Sequence, residues 1–170
     1  MFRNIKHDLK RLGSGQSTLR PMIRGLLSQG FQAIIVYRFF NWFHRHHVPA
    51  QPFRFLVERL TEITTGISIP AECTIGPGLR IHHFGGIILH PSVVIGENCT
   101  IYHHVTIGDR GGSGNAARIG NNVLFGAGAK IIGEISIGDN CRIGANAMVN
   151  QDVPENSVVF GNPCVIRKQT

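Results

Sequence analysis

No two of the four cysteines in this 170-residue chain stand at a metal-ligand spacing such as C-x-x-C, which excludes a zinc site built on thiolate pairs. Cys73, Cys99 and Cys141 recur at one position of a repeat, with Cys164 in the tail. They read as small buried thiols in a reducing cytoplasm. Long apolar runs are also missing. The stretch 25–43 is broken by Ser28, Gln29, Gln32, Arg38 and Asn41, a poor match to the roughly twenty mostly apolar residues of a membrane span. The charged start lacks the apolar core and small-residue cleavage site of a secretory signal. No Gly-Lys-Ser/Thr follows the glycine-rich segment near residue 112, which excludes a P-loop. Acidic groups are scarce at the start. Residues 1–60 hold ten Lys/Arg against Asp8 and Glu58, whereas residues 61–170 hold seven against eight acids. The net charge of +7 therefore belongs to the N-terminal segment. No nucleic-acid reading motif accompanies it, so nucleic acid is not expected. An anionic membrane surface or an anionic sugar chain is compatible with it.

What the chain has in abundance is a six-residue period. An aliphatic or aromatic residue returns at Ile69, Ile75, Ile81 and Ile87, at Ile95, Ile101 and Ile107, and at Ile119, Phe125, Ile131, Ile137, Ile143 and Val149. A second small or apolar side chain follows four residues later, as at Cys73, Leu79, Cys99, Val105, Val123, Ala129 and Ala147. A helix requires a period of 3.6 and an amphipathic strand a period of 2. A period of six instead predicts a parallel β-helix in which every third short strand stacks on the first. Glycine often follows the repeat aliphatic, as at Gly76, Gly96, Gly120, Gly126 and Gly138, and is expected at corners with positive φ. Before the repeat, residues 22–47 and 53–64 carry helical apolar patterns separated by Pro49 and Pro52. Pro21 suits a first helical turn, and Gly13-Ser14-Gly15 suits a mobile arm. The division is thus a basic helical segment, 1–65, and a mainly β repeat domain, 66–170. The first helix packs on its neighbours or lies on a membrane through Tyr37, Trp42 and Phe43 beside Arg38 and Arg45.

Two irregularities break the count. Two residues are inserted around His90-Pro91, and 109–117 carries no repeat aliphatic, reading as a loop over a ligand groove. Between them cluster His82, His83, His90, His103 and His104. One full coil of 18 residues plus the two inserted ones places His83 beside His103, one strand spacing of about 4.8 Å away. His83 suits a general base. Three of the histidines with a water would suit a metal instead.

At these residues the chain resembles the serine acetyltransferase-like branch of the left-handed β-helix, hexapeptide-repeat acyltransferases, over about residues 66–166. It is most similar to acetyltransferases of bacterial exopolysaccharide assembly, of the colanic acid type. That likeness includes Leu19-Arg20-Pro21, Ile81-His82-His83 and the run Val105 to Gly111, with Gly108 and Asp109 within it. The resemblance implies acetyl-CoA as co-substrate, no metal, and a homotrimer with the active site between subunits. It implies His83 as the catalytic base. It places the acetyl-CoA arm along Gly108, Asp109, Ala127, Gly128, Lys130 and Ala145. Arg118, Lys130, Arg142, Arg167 and Lys168 are candidates for the coenzyme's phosphates. The tail Phe160-Gly161-Asn162-Pro163 resembles the family's Gly-x-Pro element.

The departures bear on the acceptor. Where the serine enzymes have an aspartate fifteen residues before the base, this chain has Ser68; where one immediately precedes the base, it has His82. An Arg-His pair of the loop is replaced by Asn115 and Ala116. Ser68, His82, His103 and His104 are the candidates for orienting His83 or contacting the acceptor. The expected reaction is acetyl transfer to a sugar hydroxyl in exopolysaccharide or capsule synthesis, in the cytoplasm or peripherally at the inner membrane face. Serine O-acetylation is the alternative. A γ-carbonic-anhydrase-like metal enzyme and a non-catalytic scaffold are the remoter ones.

Overall fold

The computed structural model describes residues 1–12, 23, 27–111 and 114–169. The expected N-terminal arm, the first-turn role of Pro21 and the likeness at Leu19-Arg20-Pro21 lie outside these residues. Among the described residues three helices, α1 (Phe2–Lys10), α2 (Gln29–Arg45) and α3 (Phe53–Thr65), precede fifteen short strands. The strands form the expected left-handed parallel β-helix of about five turns. Sheet A stacks β1 (Ile67–Ser68), β4 (Ile87–Leu89), β7 (Thr106–Gly108), β10 (Lys130–Ile132) and β13 (Met148–Val149). Sheet B stacks β2 (Thr74–Ile75), β5 (Val94–Ile95), β8 (Arg118–Ile119) and β11 (Ser136–Ile137). Sheet C stacks β3 (Arg80–His82), β6 (Thr100–Tyr102), β9 (Leu124–Phe125), β12 (Arg142–Ile143), β14 (Ser157–Phe160) and β15 (Val165–Lys168). The repeat aliphatics all point inward, and Ile101, Ile107, Phe125, Ile131, Ile143 and Val149 are fully buried. Each inward side chain meets its counterparts one coil away, so the core is a continuous column that no single coil could enclose.

The repeat glycines have a different cause from the expected one. Positive φ falls at other positions, on Asn98, Asn122, Asn140, Asn146 and Asn156 and on glycines such as Gly78 and Gly128, whereas Gly76, Gly96, Gly120, Gly126 and Gly138 are not among the positive-φ residues. Asparagine tolerates this region because its short side chain bonds locally. Asn122 Nδ2 donates to Asn140 Oδ1 and Asn140 Nδ2 to Asn156 Oδ1, both at 3.1 Å, a ladder along one edge. The repeat glycines are there because the coils are close. A Cβ on Gly96 would stand 2.7 Å from Gly120 O, and one on Gly126 would stand 2.6 Å from Ala145 N.

The first coil would leave β2 an open edge, with unpaired backbone groups. Helix α2 covers it. Tyr37 Oη donates to Cys73 O at 2.9 Å and accepts from Ile75 N at 3.1 Å. Arg38 donates to Ile75 O and Gly76 O, and Asn41 to Ala71 O and Cys73 O. Tyr37 and Arg38 are therefore buried, as the packing alternative expected and against their placement at a membrane interface. Trp42 stacks on His46 at 4.4 Å. Trp42 itself is exposed, and α3 carries a row of exposed apolar residues at Phe53, Leu56, Leu60 and Ile63. Among the described residues no helix is long and apolar enough to cross a membrane. At the other end β15 runs antiparallel to β14 and closes sheet C.

Candidate active site

The chain turns from sheet C to sheet A at one edge of the prism, and the histidines gather there. β3 pairs with β6 so that His82 faces Tyr102. Their rings stack at 4.8 Å with 12° between planes. The next residue, His83, takes φ +64° and is exposed. Its ring meets His103 edge-on, centroids 5.6 Å apart and planes at 83°, as counting the coil predicts. His103 in turn packs edge-on against His104 at 5.5 Å. Nδ1 of His103 is buried and has no hydrogen-bond partner. Burial and the nearby Arg80, His83 and Arg11 charges hold the His82 imidazole below its ordinary value, which favours its neutral form.

The same edge carries part of the expected coenzyme run. Gly128 N donates to His103 O and Asn146 N to Ala127 O, so His103, Ala127 and Ala145 follow one another down successive coils. Gly86 lies so close to His104 that a Cβ there would collide with the imidazole. Lys130 donates from Nζ to His104 O at 2.7 Å and to Thr106 Oγ1 at 3.0 Å. Its ammonium is thereby tied to the histidine corner.

Other expected residues lie elsewhere. Ser68 donates to Glu62 Oε1 at 2.6 Å, and Glu62 Oε2 accepts from Arg59 at 2.7 Å. Ser68 thus faces α3, and no hydrogen bond joins it to His83. His90 bonds Ser92, whose hydroxyl accepts from Ala116 N at 2.8 Å. This places both interruptions of the repeat on the edge between sheets A and B, away from His83. Gly108 and Asp109 lead into that second edge. There Arg110 donates to Asn150 O at 2.6 Å and, with Gly111, Gly133, Glu134, Gln151 and Asp152, lines a groove of about 620 Å³. The candidate phosphate cations divide too. Arg118 stands on sheet B, while Arg142 and Arg167 share a row of sheet C through Val158, with Lys168 beside them. Arg167 also covers the Phe160 ring at 5.5 Å. Among the described residues no group of three or more His, Cys, Asp or Glu is arranged to hold a metal.

Reading the sequence missed Tyr102 and Glu62. Tyr102 stands twenty residues after His82, the same count that pairs His83 with His103, so the register could have found it. Glu62 lies six residues before Ser68 on a helix, and only packing brings it back.

Comparison with known proteins follows this geometry. The profile described as "Bacterial transferase hexapeptide (six repeats)" matches residues 116–151. The chain is 34% identical to the serine acetyltransferase of Synechococcus elongatus over 166 residues, covering 96% of this chain and 67% of that protein. It is 38% identical to the serine acetyltransferase of Helicobacter pylori strain J99 over 141 residues, covering 80% of each. The crystal structure of serine acetyltransferase in complex with coenzyme A from Brucella abortus superposes with a TM-score of 0.89 at 27% identity, covering 99% of this chain and 68% of that one. The expected likeness to the exopolysaccharide branch draws no support from these relatives.

Proposed function

The chain belongs to the serine acetyltransferase family of hexapeptide-repeat acyltransferases, and from that premise we propose that His83 drives acetyl transfer from acetyl-CoA to the hydroxyl of L-serine. That the protein is an acetyl-CoA-dependent O-acetyltransferase rests on its relatives and on the coenzyme A complex of one of them. The observation that supports the role of His83 is its corner. The imidazole is exposed, has His103 against it, and stands two coils above Ala127 on the edge that continues to Ala145. His83 would accept the hydroxyl proton as the oxygen attacks the thioester carbonyl, a step worth about 10²–10⁴-fold. The thiolate would then leave and take that proton back. Ala127, Gly128 and Ala145 would lie along the pantetheine arm, with Arg142, Arg167 and Lys168 on the adjoining sheet C towards the phosphates. The loop 109–117 leaves the opposite edge of sheet A. Its expected place over the coenzyme groove therefore fits a homotrimer, in which the loop of one subunit reaches the histidine corner of the next.

One observation favours a second acceptor, a sugar hydroxyl. At the four positions where the family resemblance expects charges, Ser68 is turned to Glu62, His82 is stacked on Tyr102, Asn115 donates to Glu134 and Ala116 is buried. None offers an ion to the ammonium or carboxylate of an amino acid. On this reading the exposed apolar stripe of α3 would face a membrane that carries a lipid-linked sugar. Thiol release from acetyl-CoA, measured with L-serine and with sugar acceptors, decides between them. Turnover with L-serine and not with sugars upholds the first reading, and the reverse establishes the second. His83→Ala is expected to abolish turnover with either.

A further inference from the structure

Stabilising the tetrahedral anion is the harder half of acyl transfer, and the corner amides are not all free to do it. The amides of His104, Gly128 and Asn146 already donate to Gly85 O, His103 O and Ala127 O of neighbouring coils at 2.9, 3.0 and 2.9 Å. A side chain already aimed at the place where the anion forms would supply what these engaged amides do not.

His103 has the form of such a donor. Its ring is wedged edge-on between His83 at 5.6 Å and His104 at 5.5 Å. Nδ1 is the one described side-chain nitrogen or oxygen that is buried with no partner. A buried N–H without an acceptor is costlier than a buried lone pair without a donor, because orphaned N–H groups are the rarer of the two. The unpartnered nitrogen is therefore the bare one, and the ring's proton resides on Nε2. Nε2 is then the ring's donor, and the ring that carries it lies edge-on to His83. Ring centroids 5.6 Å apart put the two imidazoles within reach of one acetyl group and its attacking hydroxyl.

We infer that His103 is a second catalytic residue, which donates its Nε2–H to the carbonyl oxygen of the acetyl thioester as that oxygen becomes an anion. The inference rests on His83 as the base. As the hydroxyl oxygen bonds to the carbonyl carbon, its proton moves to His83 and the carbonyl π pair moves onto oxygen, where His103 holds it. Collapse re-forms the C=O bond, breaks the C–S bond and releases the thiolate, which recovers the proton from His83. His103 keeps its own proton throughout. It acts on the transition state equally for serine or a sugar.

Two measurements test this. In ¹⁵N-labelled protein, with the His103 signals assigned by their loss in His103→Gln, the imidazole is expected to show a bare Nδ1 and a protonated Nε2. A proton on Nδ1 overturns the inference without any assay of activity. In turnover, His103→Ala is expected to lower kcat and kcat/KM together by about 10²–10³-fold. His103→Gln, which keeps an N–H near the Nε2 position, is expected within about tenfold of the parent. His103→Phe fills the corner without a donor and should be as slow as His103→Ala. Parent-like activity of His103→Phe would make the role packing and overturn the inference. So would His103→Gln being as slow as His103→Ala. Turnover lost in His83→Ala but unchanged in His103→Ala overturns the inference alone. Turnover kept in His83→Ala but lost in the His103 variants makes His103 the base, and both readings fall.

Discussion

Asp8 and Arg38 form a two-pronged buried ion pair, with Nε at 2.9 Å from Oδ2 and Nη2 at 3.2 Å from Oδ1, and each partner also bonds the first coil of the β-helix. Asp8 Oδ1 accepts from Gly78 N and Leu79 N at 2.8 and 2.9 Å, while Arg38 donates to Ile75 O and Gly76 O. The pair therefore fastens α1 and α2 to the coil that leads into β3 and the histidine corner.

Removing one partner strands the other charge in the interior. Asp8→Ala and Arg38→Ala are each expected to cost about 3–5 kcal/mol of unfolding free energy. The double substitution should cost clearly less than their sum, because no lone buried charge is left. Urea unfolding of the four proteins checks this.

Gly30 touches the same coil from α2. A Cβ at this position would stand 2.8 Å from Ile81 Cβ and 3.1 Å from Ile81 O. Alanine is intrinsically the better helix former by about 1 kcal/mol. Gly30→Ala is nevertheless expected to destabilise by about 1–3 kcal/mol, because the helix must move off the coil. A rise in the urea midpoint would show that the contact yields without cost.

Burial pushes the Cys73 thiol up to about 12 and that of Cys99 to about 11, and raises that of Cys141 as well. Thiolate is the reacting form. At pH 8 the native protein is expected to take up one equivalent of iodoacetamide, at the partly exposed Cys164. The other three should react only on unfolding, which peptide mass mapping resolves.

The lowered His82 value has a definite sign in stability. Its unfolded value is 6.5 and its folded value lies below that. The unfolded chain therefore binds more protons between the two, and stability falls as pH drops from 6.5 through the folded value. Below that value this group causes no further loss. His82→Gln should flatten this part of a plot of urea midpoint against pH, while the region above pH 7 keeps its slope.

Much of this architecture is legible in the chain because one period dominates it. Ile69 to Val149 point inward as counted, and the same count brings His83 to His103. What counting misses is why a residue type recurs. Gly76, Gly96 and Gly126 look like positive-φ corners, yet they are there because a Cβ would meet the next coil. Letters alone do not separate these causes. Asp8 and Arg38 are thirty residues apart in a basic segment that reads as suited to an anionic surface, and only docking of α1 and α2 on the coil reveals them as partners. Likewise, the two interruptions and His90 lie on one edge and His83, His103 and His104 on another, which emerges only when each corner is assigned to its pair of sheets.

The antiparallel β15 has a consequence beyond closing sheet C. A stack of parallel coils has no natural length, and its bare final edge would accept the first coil of another molecule, which would accept a third. Reversal of the last strand ends that series at one terminus, and the side chains of α2 end it at the other. A further parallel coil would thus have to displace β15 from sheet C or α2 from the first coil.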